Sequence, residues 1–277
     1  ISAENENICF KYGVFDFIGR PFKTSIVRKR VQNMINIYVY KNHLEQQVQE
    51  QTAVLRKAYE KLEKQKERVE KLNKDILDML GTIVEFRNLE SGEHIMRVKG
   101  YTKILAEKFK ELYPEYNLTD EMIDNIVEAS ALHDLGKISI PDKILLKPGR
   151  LTKEEFEYMK LHTVKGCELI QAVNLEQSEE LKQICYDIIR YHHERYDGKG
   201  YPDGLKGDEI PVSAQLVSLA DVYDALINER CYKDAFSNEK AFNMIMNGEC
   251  GTFSPKLLET FKQVRDKFER FAIEERK

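Results

Sequence analysis

Ala131-Leu132-His133-Asp134-Leu135-Gly136-Lys137 sets an imidazole beside a carboxylate in a run with few other polar side chains, and puts a lysine three residues past the Asp. A neutral imidazole and a carboxylate make a mixed nitrogen and oxygen donor set for a divalent metal. The lysine adds a positive point charge that suits a phosphate oxygen. A core His hydrogen-bonded to a neighbouring Asp would look the same, so the placing of the other histidines decides between the two readings.

Six histidines occur in the chain, and five lie on the carboxyl-terminal side of residue 84. His94 follows Glu90 by four residues in Arg87-Asn88-Leu89-Glu90-Ser91-Gly92-Glu93-His94. His133 precedes Asp134, His162 sits in Lys160-Leu161-His162-Thr163, and His192 and His193 are adjacent before Glu194. Asp221 closes the apolar stretch Ser218-Leu219-Ala220. Five such histidines, several beside carboxylates, are costly to bury for packing alone. Metal ligation explains why they are neutral and why they converge. None of the cysteines belongs to this set. That points away from a structural zinc site and towards a catalytic site for Fe or Mn, with Zn or Co less favoured. With up to eight side-chain donors, two or three ions are implied.

Next to the His192-His193 pair lies Asp197-Gly198-Lys199-Gly200-Tyr201-Pro202, whose glycines let a ligand come close; a flexible turn is the plainer reading. Arg230 and Lys233, three apart, share a face if that stretch is helical, and are candidates for phosphate or guanine contacts.

The chain has 277 residues, 32% of them charged, and a formal net charge of -4. That describes a soluble protein without a basic footprint for duplex nucleic acid. No apolar run is long enough to span a bilayer, and no signal peptide is visible. The five cysteines are scattered and read as reduced thiols of a cytoplasmic protein. A start at Ile1 suggests a segment upstream.

Leu44, Val48, Gln51, Leu55, Ala58, Leu62, Gln65, Val69, Leu72, Ile76, Met79 and Ile83 alternate steps of four and three. This seam predicts a coiled coil over residues 43–83 and a parallel homodimer, with a single charged helix as the alternative. Ahead of it, residues 1–42 combine an apolar patch, a Pro turn and the helical spacing of Ile26, Val27, Val31, Met34, Ile35 and Tyr38. That segment resembles the carboxyl-terminal part of a response-regulator receiver domain, a small α/β remnant, with Arg20 where the receiver pattern has Lys. The resemblance puts the phospho-accepting Asp upstream of Ile1 and makes an upstream sensor kinase a partner of the longer protein. After residue 84 the apolar runs have helical spacing and strand signals are poor. Thr119 and Ser237 read as helix caps, and Pro141, Pro148, Pro202, Pro211 and Pro255 as loop marks. The expectation is an all-α domain over residues 84–277.

The blocks Glu90-Ser91-Gly92-Glu93-His94, His133-Asp134-Leu135-Gly136-Lys137, His162, His192-His193, Asp197-Gly198-Lys199-Gly200-Tyr201-Pro202 and Ala220-Asp221-Val222-Tyr223-Asp224 stand in the order of a known family. From about Arg87 to Lys233 the chain resembles the HD-GYP domains of bacterial cyclic di-GMP phosphodiesterases. The resemblance implies an HD-domain helical bundle. It implies metals on Glu90, His94, His133, Asp134, His162, His192, His193 and Asp221. Glu90 resembles the extra ligand of three-metal members, which favours three ions; a Glu that only orients His94 through its free ring nitrogen is the alternative. Lys137, Tyr201, Arg230 and Lys233 would hold cyclic di-GMP. Two residues depart from the pattern: Cys231 stands where a Pro is usual, and Ser254 where an Asp is common. The implied activity is metal-dependent hydrolysis to the linear dinucleotide and on to GMP, with Asp134 bridging two ions and Lys137 stabilising charge on phosphate. An inactive metal-bound receptor for a cyclic dinucleotide, and a nucleotide phosphohydrolase of the wider HD superfamily, are the alternatives.

Overall fold

The computed structural model describes residues 11, 14, 16–18, 20–87, 92–172, 179–228 and 235–274. The described residues form helices and turns, with one isolated antiparallel bridge between Asp197 and Lys206. The chain divides into two compact units, Ile1–Val69 and Glu70–Lys277.

The first unit is dominated by α1, which runs without interruption from Thr24 to Arg87 and so continues into the second unit. The helix expected over 26–38 and the coil expected over 43–83 are therefore one element. It passes straight through Gly81, where the sequence pattern changes. No Pro interrupts it, and Lys, Glu, Gln and Leu, which lose little rotamer freedom in a helix, fill most of it. Its seam residues are exposed, Leu55 at 71% and Leu62 at 63%. Near its start, Arg30 Nη1 donates to both Asp16 carboxylate oxygens at 2.8 Å. Of the strand and turn expected in the receiver-like segment, residues 14, 16–18 and 20–22 are described; they form no strand, and Arg20 and Pro21 lie in a bend.

In the second unit the last turns of α1 are joined by α2 (Glu93–Leu112), α3 (Asp120–Ser130), the short α4 (Asp142–Leu145), α5 (Lys153–Ala172), α6 (Glu179–Tyr191), α7 (Val212–Ile227), α8 (Asn238–Met246), α9 (Pro255–Gln263) and α10 (Arg265–Glu274). Side chains stop and start these helices locally. Thr119 Oγ1 accepts from the Met122 amide and Ser237 Oγ from that of Lys240, as the sequence predicts. Ser254 Oγ accepts from the Leu257 amide at 3.1 Å. Serine there does the capping an Asp would do, and Pro255 opens α9 at the first helical position instead of marking a loop. The core is apolar on both flanks of α2 and α7. Tyr101 of α2 stacks on Phe268 of α10 at 4.7 Å, and Tyr223 of α7 meets the same ring edge-on at 5.0 Å. The end of α1 is held by charge as well as by packing: Lys99 of α2, almost fully buried, bonds Asp78 of α1 at 2.5 Å and Glu128 of α3 at 2.7 Å. Among the described residues no helix is long and apolar enough to cross a membrane.

Candidate metal centre

His133 and Asp134 follow the end of α3, in a turn that leads into a 3-10 stretch, Leu135–Ser139. That stretch lies directly on α5, because Gly136 carries no side chain: an added Cβ would collide with the carbonyl of His162 and the amide of Gly166. The contact brings Asp134 against the face of α5 that presents His162. Asp134 Oδ1 lies 3.3 Å from His162 Nε2 and 3.8 Å from His192 Nε2, and Oδ2 lies 3.2 Å from His133 Nε2. His192 sits just past the end of α6, with its ring centroid 4.0 Å from that of His193. Atoms of Asp134, His162, His192 and His193 can be chosen so that all lie within 4.8 Å of one another.

Three of these rings are oriented by their own helices. His133 Nδ1 lies 2.8 Å from the Ser130 carbonyl, His162 Nδ1 2.8 Å from that of Met159, and His192 Nδ1 2.9 Å from that of Ile188. A carbonyl can only accept, so each Nδ1 carries a proton, and in the neutral ring each Nε2 presents a lone pair. Those three Nε2 atoms and Asp134 Oδ1 are buried and make no hydrogen bond among the described residues. Buried polar atoms are rarely left so, and four gathered at one carboxylate, Asp134, have the donor chemistry of a metal site.

His94, in the first turn of α2, is oriented differently. Its Nδ1 lies 2.8 Å from Asp224 Oδ2 on α7, and Arg97 holds the same carboxylate through Nε at 2.7 Å and Nη2 at 3.1 Å. His94 Nε2 then lies 3.6 Å from Asp221 Oδ1, one turn before Asp224 on α7. His94, His133 and a residue absent from the sequence reading, Glu85 of α1, form a second group whose atoms can lie within 4.8 Å.

The protonation pattern fits a cation. Burial lowers the pKa of His162, takes His192 down to about 3 and holds His193 well below the ordinary imidazole value, so all three are neutral ligands at pH 7. Burial would also lower His133, but the carboxylates of Asp134, Asp221 and Glu85 raise it to about 10. Burial would raise Asp134, and Lys137 and His133 outweigh it and hold the carboxyl well below its usual range. Three carboxylates pulling on one imidazole mark the place where positive charge is wanted.

Lys137 Nζ lies 2.6 Å from Asp134 Oδ2, so its ammonium sits on the carboxylate at the centre of the group. Tyr201 is brought in by the loop after α6, which Glu194 Oε1 ties down by accepting from the amides of Asp203 and Gly204 at 2.7 and 2.9 Å. Its ring lies 4.7 Å from that of His193. Of the residues singled out in the sequence, Glu90, Arg230 and Lys233 lie outside the described residues. Sequence reasoning missed Glu85, Arg97 and Asp224. For Asp224 the signal was present, since Asp221 and Asp224 are three apart on one helix face.

A family model described as HD domain matches residues 92–257, more than half of the chain. The chain belongs to the HD domain family. A probable cyclic di-GMP phosphodiesterase of Vibrio cholerae is 36% identical over 99% of this chain and 62% of its own length. A cyclic di-GMP phosphodiesterase of the same organism is 43% identical over 68% of this chain and 39% of its own length. A cyclic di-GMP phosphodiesterase of Thermotoga maritima is 34% identical over 95% of this chain and 69% of its own length. The chain thus spans less than two thirds of the two Vibrio relatives. Within the HD family these relatives support the HD-GYP type that the motifs indicate.

Proposed function

We propose that the chain hydrolyses cyclic di-GMP, to the linear dinucleotide and on to GMP, at a centre of at least two divalent ions. The observation that carries this reading is the gathering of three imidazole Nε2 atoms around the Asp134 carboxylate, these atoms and Asp134 Oδ1 being buried and without hydrogen-bond partners among the described residues. The names of the relatives supply the substrate. One ion would take His94, His133, Asp134 and Asp221, and the other His162, His192 and His193 with Asp134 shared. A third rests on Glu90. The donor set has imidazole and carboxylate and no thiolate, which suits Fe or Mn. When bound, such ions neutralise phosphate charge and lower the pKa of a water.

The chain's own residues do the rest. Backbone carbonyls and Asp224 fix the ring tautomers, so the lone pairs are in place before substrate arrives. Asp134 gives one oxygen to each side of the centre. Lys137 stands where its ammonium can move from Asp134 to a non-bridging phosphate oxygen as charge builds there. Tyr201, its ring 4.7 Å from that of His193, would hold the substrate at that side. Arg230 and Lys233 hold the remaining phosphate or guanine by charge.

The exposed seam from Leu44 to Ile83 supports a parallel homodimer, and sedimentation of the chain at high micromolar concentration should give a dimer. Residues 1–42 we read, on their motif, as the end of a receiver domain that answers to a sensor kinase. The free thiols of Cys167 and Cys185 support a cytoplasmic site of action. The deciding experiment is purification without oxygen, metal analysis, and product identification with cyclic di-GMP. Metal-loaded protein that leaves cyclic di-GMP intact refutes the reading.

A further inference from the structure

We propose that Glu85, on the last full turn of α1, is a ligand of the ion held by His94 and His133. The assignment rests on the metal-centre reading above and adds a residue to it. Glu85 has no solvent exposure at all, and both its carboxylate oxygens are buried without a hydrogen-bond partner among the described residues. One of its oxygens lies within 4.8 Å of a ring nitrogen of both His94 and His133, which are within the same distance of each other. A carboxylate stripped of water and left without donors is expensive, and a metal ion is the partner that this group of atoms can share.

The position of Glu85 is fixed by contacts on either side of it. One turn earlier, Gly81 lets α1 lie so close to Ala131 that a Cβ would collide with the Ala131 carbonyl. Two residues later, Arg87 donates to the carbonyls of Lys137 at 3.0 Å and Ile140 at 2.8 Å and to Asp142 Oδ1 at 2.7 Å. The helix is thus pinned to the turn that carries His133 and to the stretch that follows it, and this holds a Glu85 oxygen within 4.8 Å of both rings. With Asp221 Oδ1 3.6 Å from His94 Nε2 and Asp134 Oδ2 3.2 Å from His133 Nε2, this side of the centre offers two imidazoles and three carboxylates, a borderline-to-hard donor set. Glu85 is distinct from Glu90, which lies in the segment between α1 and α2. Because Glu85 rides on α1, whatever moves the end of that helix moves a ligand.

The test uses the whole chain stripped of metal by a chelator and titrated with Mn2+ alone. Free Mn2+ is read by electron paramagnetic resonance, and thermal unfolding is followed with and without the ion. Glu85→Gln should weaken one bound ion per chain by at least about tenfold to a hundredfold and leave the other at wild-type affinity. Its metal-free form should melt no lower than wild type, since the group replaced is a buried carboxyl without a hydrogen-bond partner among the described residues. Glu85→Asp, which keeps a carboxylate, should recover part of the affinity. Glu85→Gln that binds both ions as wild type does overturns the assignment. So does lost affinity matched by a lower melting temperature of the metal-free variant and not relieved in Glu85→Asp, because that is the mark of a structural role. A wild-type chain that binds no Mn2+ overturns the metal-centre reading itself, a result distinct from either.

Discussion

His162 and His192 are each aimed by a carbonyl three or four residues earlier in their own helix, whereas His94 is aimed by Asp224, 130 residues away on another helix. His133, on the His94 side, is also aimed locally, by the Ser130 carbonyl, so His94 is the ring that tertiary contact orients. Local anchoring survives as long as the helix does. The His94 side depends on α1, α2 and α7 meeting correctly, and two of its supports, Asp224 and Arg97, are themselves buried charges. A buried pair of that kind is sensitive to the loss of one partner, because the other is left without compensation. The comparison teaches that the two sides should fail independently, except where a residue belongs to both.

Asp134 is that residue, and changing it should have the largest effect. Its two oxygens face His162 and His192 on one side and His133 on the other. Asp134→Asn removes the charge that both proposed ions would share and takes away the carboxylate 2.6 Å from Lys137 Nζ. Metal content should fall on both sides. Several kcal/mol of charge stabilisation go with it, so kcat/KM for cyclic di-GMP should drop at least about a thousandfold. Retention of one tightly bound ion would mean that Asp134 serves only one side and that the bridge is misassigned.

Asp224→Asn is the sharper probe, since it keeps shape and removes charge on the His94 side alone. Arg97, 8% exposed, loses its main partner, and His94 loses the carboxylate that orients its ring. We expect the ion on the His94 side to weaken about 10–100-fold, a matching fall in kcat/KM, and no change on the His162 and His192 side. Thermal unfolding should report a loss of roughly 3 kcal/mol from the stranded guanidinium. Equal weakening of both ions would break the distinction between the two sides.

That contrast also explains what could be read in advance. The locally oriented donors stand in short blocks whose spacing is fixed by one helix or one turn, and they carry residue types with few other uses when buried together. The all-α class followed from helical spacing, and Thr119 and Ser237 from the cap chemistry of their own side chains. Glu85 was not legible in the same way. It sits in a highly charged helix, and its burial is decided by a neighbour. A trace was there: Leu77, Gly81 and Val84 step by four and three along α1, a second apolar stripe beside the heptad seam. The seam residues Met79 and Ile83 are exposed, while Gly81, Val84 and Glu85 are buried, so the second stripe is the one that meets the domain. A Gly in such a stripe marks close approach of backbone to backbone. The sequence likewise draws no line at Glu70, where the second unit begins, because the heptad pattern continues past it to Ile83.

The smallest effect should come from Arg87, which acts on the His94 side only through α1. Its guanidinium bonds carbonyls of the stretch that follows Asp134, and its side chain is 33% exposed, so water can replace part of what is lost. Arg87→Ala should cost about 1–2 kcal/mol of stability, the range of a charged hydrogen bond that is partly solvated. It should loosen the end of α1 without removing any ligand. The ion near Glu85 and His94 should then weaken by a few-fold, less than in Asp224→Asn, while the other ion and the KM for cyclic di-GMP stay as in wild type. The order of the two variants is the informative quantity. If Arg87→Ala weakens the His94 side more than Asp224→Asn does, the position of α1 governs that side and His94 is secondary. If it leaves both ions unchanged while stability falls, Arg87 is a staple of the fold and the metal centre does not register the end of α1.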